Sequence, residues 1–184
     1  FESTPDDVEV AGLYIAALAD ANEPGSALGA VEKYLAVKGK EGNDWGRPRL
    51  LILLGETGQL DRARKLAAEW IAETKDSDEQ AAYRQILYRV LRDKKDYDGA
   101  LAVLDEWIKA TGDNSPTQLE QLNLTRMQTL AQAGRYDEPL KQAEKLLAAD
   151  PLDLTLEQIA TIARDRRDYD KCVEIMDIAL KAVR

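Results

Sequence analysis

The stretch Lys95-Asp96-Tyr97-Asp98-Gly99-Ala100 decides the fold of this chain, because related stretches recur along almost the whole sequence. It predicts the start of an α-helix. Asp98 can accept hydrogen bonds from the unpaired backbone N–H groups of a first helical turn, and Ala100 is small enough to let that helix approach a neighbour closely. The apolar residues that follow have helical spacing. They are Val103, Leu104, Trp107 and Ile108.

Four further versions of this stretch can be aligned with it. They are Pro24-Gly25-Ser26-Ala27, Leu60-Asp61-Arg62-Ala63, Tyr136-Asp137-Glu138-Pro139 and Tyr169-Asp170-Lys171-Cys172. We call the last residue of each copy its anchor, so the five anchors are Ala27, Ala63, Ala100, Pro139 and Cys172. Their spacings are 36, 37, 39 and 33 residues, and mostly apolar residues recur three, four, seven and eight positions after each anchor. Because these offsets trace one face of a helix, the pattern predicts a helical repeat.

Each repeat also needs a helix before its anchor, and capping signals predict where these helices start. The predicted starts are Thr4-Pro5, Asp44, Ser77 with Gln80 at capping-box spacing, Ser115-Pro116 and Leu154-Thr155. Ten helices result, and we see no strand alternation and no domain boundary. We therefore expect one all-α domain over residues 1–184, with repeats at about 5–38, 44–75, 78–112, 116–151 and 154–184.

These residues resemble the tetratricopeptide repeat family. The resemblance rests on Gly58-Gln59-Leu60-Asp61-Arg62-Ala63, on Gly134-Arg135-Tyr136-Asp137, on the turns at Tyr97 and Tyr169, and on Ala149-Asp150-Pro151. It covers nearly the whole chain and implies a right-handed α-α superhelix, or solenoid, of about five repeats. It also implies a non-catalytic binding or scaffold module, because the first helices of such repeats line a concave groove that receives a peptide.

Carrying this groove over to the chain gives a set of expected peptide-binding residues on the first helix of repeats two to five. They are Trp45, Arg49, Ile52 and Glu56, then Gln85, Arg89, Arg92 and Asp93, then Gln121, Gln128 and Gln132, and finally Thr161, Arg164 and Asp165. Amides can pair with a peptide backbone, and the forked guanidinium groups of Arg89 and Arg92 suit a carboxylate. The alternative is that these long polar side chains are only the hydrated face of each helix.

The composition limits the partners. With 25 basic and 34 acidic residues the net charge is −9, so the chain as a whole repels nucleic acid and anionic membranes, and we expect a basic or neutral protein or peptide partner. Membrane insertion is not expected. One local basic stretch, Arg164-Asp165-Arg166-Arg167, keeps an RNA-binding helical repeat as a remote alternative.

Enzyme chemistry finds little support in the residues. Histidine is absent, and the single cysteine, Cys172, stands at an anchor where a buried packing residue is expected. Gly55-Glu56-Thr57-Gly58 lacks the lysine and hydroxyl of a phosphate loop and suits a turn between helices. We expect no catalytic residue, no metal and no cofactor.

The two end helices are unusually apolar. From Cys172 to Val183 the only polar residues are Glu174, Asp177 and Lys181, and the first helix carries Val8, Val10, Leu13, Tyr14, Ile15 and Leu18. Since the sequence begins at Phe1 rather than Met, we expect a fragment of a longer chain in which further repeats cover these helices. The alternative is a structural segment that self-associates through its end helices.

Overall fold

The computed structural model describes residues 8–112, 115–150 and 153–182. These residues form ten α-helices and one short 3-10 helix, and within these ranges there is no strand, so the all-α expectation is confirmed there. The helices are α1 (Val8–Asp20), α2 (Pro24–Lys38), α3 (Asn43–Glu56), α4 (Leu60–Glu73), α5 (Ser77–Asp93), α6 (Tyr97–Thr111), α7 (Pro116–Gln132), α8 (Asp137–Ala149), α9 (Thr155–Asp165) and α10 (Tyr169–Ala182), and the 3-10 helix is Gly39–Gly42.

The chain divides into two compact units, Phe1–Lys94 and Lys95–Arg184. In the first unit each helix packs on the next along the chain, and α3 also packs on α5. In the second unit α6 packs on α7, and the helices from α7 to α10 pack on their chain neighbours and on the helix two positions away. Each unit is thus a stack of antiparallel helix pairs, which is a repeat-like architecture.

The turn inside each repeat has a left-handed residue at a fixed place. It lies five residues before the anchor in all five copies, at Asn22, Gly58, Lys95, Gly134 and Arg167, with φ between 58° and 80°. At Gly58 the backbone N–H bonds to the Gly55 carbonyl at 3.0 Å, and the N–H of Gln59 bonds to the Leu54 carbonyl at 2.8 Å. This is a Schellman ending, in which a residue of positive φ satisfies the last carbonyl groups of a helix. The repeat spacing predicted from the anchors is therefore present in the backbone.

The predicted helix starts agree with the structure to within one residue where they can be compared. Helix α3 begins at Asn43, α5 at Ser77, α7 at Pro116 and α9 at Thr155. The predicted start at Thr4-Pro5 lies outside the described residues.

Two predicted caps are wrong. The N-cap of α6 is Asp96, whose carboxylate accepts the Gly99 N–H at 3.0 Å, whereas Asp98 lies inside the helix. The N-cap of α5 is likewise Asp76, which accepts the N–H groups of Asp78 and Glu79, and not Ser77. In both cases an aspartate one or two residues earlier has the non-helical backbone that a cap requires.

Each unit has its own core. The first is built around fully buried Tyr34, Tyr83, Leu51 and Leu54. In the second, one cluster joins α8, α9 and α10, and the half-buried Cys172 packs against it. These cores fix the outward faces of the first helices of the repeats, on which the expected groove residues lie.

Candidate functional site

The expected groove residues of the first unit lie on two neighbouring helices, α3 and α5. A Cβ atom added to Gly55 would come within 2.5 Å of Val90 Cγ1, so the helices approach closely there. Lys94, which directly follows α5, donates through Nζ to the carbonyl of Glu56, the last residue of α3, at 3.3 Å. Because both contacts join the C-terminal ends of the two helices, the helices lie side by side with these ends together. Arg49 and Ile52 therefore lie on the helix next to the one that carries Gln85 and Arg89.

Arg49 is held in place by aromatic rings. Its guanidinium carbon lies 4.1 Å from the ring centroid of Trp45, and Trp45 in turn packs edge-on against Tyr34 at 4.7 Å between centroids. Arg49 Nη1 also donates to the Trp45 carbonyl at 3.1 Å. Burial lowers the pKa of Arg49 from its usual value, but a guanidinium remains charged at neutral pH. The stack thus presents a positive group in a fixed position while losing little side-chain freedom on binding.

Arg89 and Arg92, one turn apart on α5, have different surroundings. Arg92 is half-buried, pairs with Asp93 at 2.8 Å and lies 5.6 Å from the Tyr88 ring. The hydrogen bond from Arg92 to Asp93 raises the pKa of Arg92, although burial acts in the opposite direction. Arg89 is exposed, and within the described part of the chain it forms no ion pair and no side-chain hydrogen bond. Of these two arginines, Arg89 is the one available to a ligand.

In the second unit the expected groove residues lie on α7 and α9. Gln128 Nε2 donates to Gln158 Oε1 at 3.0 Å and so joins the two helices. Gln121 and Thr161 are exposed, whereas Arg164 pairs with Asp165 at 3.1 Å. Part of the predicted amide row is therefore engaged within the fold. The one cation among the expected groove residues of this unit is therefore paired, unlike Arg89 in the first unit.

A cation bridges successive turns in both units, and the sequence analysis missed it. Lys94 donates to the carbonyl of Glu56, and Arg166 donates to the carbonyl of Gln132. Both cations stand six residues before an anchor, and both acceptors are last-turn carbonyls of the preceding first helix, where the helix dipole is negative. The signal was present in the sequence, since Leu91–Asp98 reads LRDKKDYD and Ala163–Asp170 reads ARDRRDYD. Of the basic stretch proposed for RNA, Arg164 and Arg166 are thus both engaged by the fold.

A charged cleft of about 820 Å³ lies between α6, α7 and α8, and it too was not predicted. Arg126, one of its lining residues, donates to Asp105 at 2.6 Å and to Glu138 at 2.5 Å. Partial burial acts to lower the pKa of Arg126, but these two hydrogen bonds raise it overall. Tyr136 also lines the cleft, and its hydroxyl is buried without a hydrogen-bond partner. Since Arg126 already forms two ion pairs within the protein, it is less available to a ligand than Arg89 is.

Three further observations concern metal binding, membrane-spanning helices and similar proteins. Among the described residues, no three His, Cys, Asp or Glu side chains are grouped as a metal ion would require. None of the described helices combines the length and apolar composition needed to cross a membrane. No protein-family model, curated protein or solved structure matches the chain.

Proposed function

We propose that the chain is a non-catalytic protein-interaction module of tetratricopeptide type, and that the face formed by α3 and α5 binds a peptide segment. The proposal includes a right-handed solenoid of about five repeats. The five equivalent turns, each with a left-handed residue five positions before its anchor, support the repeat assignment. In such a module the first helices of the repeats carry the binding groups, while the second helices support them.

The observation that carries the proposal is the presence of Arg49 and Arg89 on the neighbouring helices α3 and α5. Arg49 is fixed by its stack on Trp45, and the exposed Arg89 stands on the adjacent helix without a partner among the described residues. Two guanidinium groups on neighbouring helices suit a carboxylate, which accepts paired hydrogen bonds from such a fork. Ile52, half-buried beside Arg49 on α3, adds an apolar contact.

The expected ligand follows from the charges. The chain carries a net charge of −9, which disfavours a strongly acidic partner at long range. A neutral or basic peptide with one carboxylate, at its C-terminus or on a side chain, satisfies both the overall charge and the local arginines. Exposed Gln85 on α5 can then pair with a peptide backbone group.

A display library of short peptides selected against the chain provides the test. Selected peptides are titrated by fluorescence anisotropy against the wild type, Arg49→Gln and Arg89→Gln, with Arg62→Gln as the control. Arg62 is also exposed and lies in the same unit, but on α4, where it pairs with Glu32. We expect each groove variant to weaken binding about tenfold, or about 1.4 kcal/mol, and the control to bind like the wild type.

Replacing the peptide carboxylate by an amide completes a double-mutant cycle. If Arg89 binds the carboxylate, the amide peptide should lose about the same affinity and Arg89→Gln should cause little further loss. Selected peptides that bind the Arg49→Gln/Arg89→Gln double variant as tightly as the wild type would contradict the proposal. So would a selection that enriches no peptide over that double variant.

A further inference from the structure

Helix α10 carries a stripe of exposed apolar side chains. We call Tyr169, Val173, Met176 and Leu180 the α10 stripe, and each of them keeps between 37% and 61% of its surface exposed. Their spacing of four, three and four residues places them on one face of the helix. The opposite side of α10 packs against the core through Ile175, which is fully buried.

The same positions are covered one repeat earlier. Thirty-three residues before the α10 stripe, on α8 and its N-cap, stand Tyr136, Leu140, Ala143 and Leu147, each at most 8% exposed. The helix that packs on them is α9, whose Leu156, Ile159 and Ala163 belong to the same cluster. In α6 the equivalent Leu101 and Leu104 are also buried, and α7 packs on that helix. The fold itself thus shows what covers this face, namely the first helix of a following repeat.

The chain also has a first helix with an exposed apolar residue at the complementary position. Tyr14 on α1 is 42% exposed. It stands thirteen residues before its anchor Ala27, as Ile159 stands thirteen before Cys172. Ile159 is fully buried in the cluster that contains the covered side chains of α8. In α1 the position equivalent to this covering residue is therefore occupied by an exposed tyrosine.

We propose that α1 of a second copy of this chain docks on the α10 stripe, so that copies associate head to tail. The contact repeats between molecules the packing that joins α8 to α9 within one molecule. It is heterologous, because one copy contributes α10 and the other contributes α1. Since each copy carries a net charge of −9, like-charge repulsion opposes the association, and added salt should strengthen it by screening that repulsion.

Sedimentation velocity on the full chain and two charge-introducing variants tests the proposal. Val173→Asp removes the receiving face, and Tyr14→Asp removes the docking face. Each variant alone should be monomeric, whereas an equal mixture should form one-to-one dimers, because one intact face of each kind remains. Val37→Asp is the matched control, since Val37 on α2 is 54% exposed and lies on neither face. This control should associate like the wild type, and circular dichroism should show native helix content in all three.

The outcomes separate this interface from its competitors. Dimers from the mixture, strengthened by sodium chloride, support head-to-tail docking. If Tyr14→Asp alone associates like the wild type while Val173→Asp does not, α10 pairs with another α10 and the proposal is wrong. A wild-type chain that stays monomeric up to about 1 mM also overturns it, since any association is then weaker than about 4 kcal/mol. The peptide-binding test above is unaffected by either result.

Discussion

Helices α8 and α10 occupy the same place in successive repeats, yet one is covered and the other is not. Their anchors, Pro139 and Cys172, lie 33 residues apart, and both helices carry apolar side chains at the same four positions. Over α8 these side chains are buried by α9, whereas over α10 they remain exposed. The same hydrophobic pattern therefore serves as a core in one repeat and as a surface in the next. The difference lies in what packs on the helix and not in the helix itself.

The largest expected effect comes from removing the same kind of side chain in both helices. Leu140→Ala in α8 should lower the free energy of unfolding by about 2–5 kcal/mol, because it leaves a cavity in a covered core. Val173→Ala in α10 should change it by less than about 0.5 kcal/mol, because Val173 is exposed. Urea unfolding at low protein concentration, followed by circular dichroism, measures both. Equal losses would show that the α10 stripe is covered in solution even in the monomer.

Substitutions in the turns that lead into α8 and α10 should change the stability of the chain in opposite directions. Gly134 and Arg167 both have a left-handed backbone, at φ 80° and 64°, but only glycine adopts it without strain. We expect Gly134→Ala to cost about 1 kcal/mol and Arg167→Gly to stabilise by about 0.5–1 kcal/mol. Thermal unfolding of the two variants tests this pair. A stabilising Gly134→Ala would contradict the shared turn geometry.

Much of this comparison could be predicted from the sequence. The anchors Pro139 and Cys172 gave the correct register because the left-handed turn residue and the apolar face of the following helix repeat at a fixed spacing. The caps were misplaced by one or two residues because aspartates stand on both sides of Tyr97, and only the backbone angles distinguish Asp96 from Asp98. Whether a helix is covered depends on residues far away in the chain. No pattern within α10 could therefore separate a core from a surface.

The candidate site shows the same limit. Arg89, Arg92 and Arg164 all lie on the first helix of a repeat, and all were predicted to reach a ligand. Arg92 and Arg164 are each followed directly by an aspartate, which the structure shows them binding. Arg89 is followed by Val90 and has no such neighbour. The residue that follows each arginine therefore distinguishes Arg89 from Arg92 and Arg164 in the sequence. Only the side-chain positions show that the two ion pairs form. The groove itself stays a prediction for the peptide titrations to test.

A smaller effect is expected from the ion pairs at the start of the two helices. Glu138 in α8 binds Arg126 of α7, whereas the equivalent residue of α10, Lys171, binds Glu174 of its own helix at 2.6 Å. Glu138→Gln should cost about 1 kcal/mol, because it leaves a partly buried arginine with one partner fewer. Lys171→Gln should cost at most about 0.5 kcal/mol, and the cost should shrink in high salt. A larger loss in Lys171→Gln than in Glu138→Gln would reverse the comparison.

The smallest expected effect concerns the pKa of Lys171, near the start of α10. The hydrogen bond to Glu174 raises the pKa of Lys171 above its usual value. Because a raised folded-state pKa means that the folded chain holds this proton more tightly, the pair contributes its stability below the usual lysine pKa of about 10.4 and loses it as the pH rises through the folded value. NMR titration of labelled lysine side chains should find Lys171 above the other lysines, and Glu174→Gln should return it towards them. The return should be incomplete, since the charges of Asp137 and Asp168 also raise the pKa of Lys171. A Lys171 pKa that is unchanged in Glu174→Gln would show that these two carboxylates, and not Glu174, are responsible for the shift.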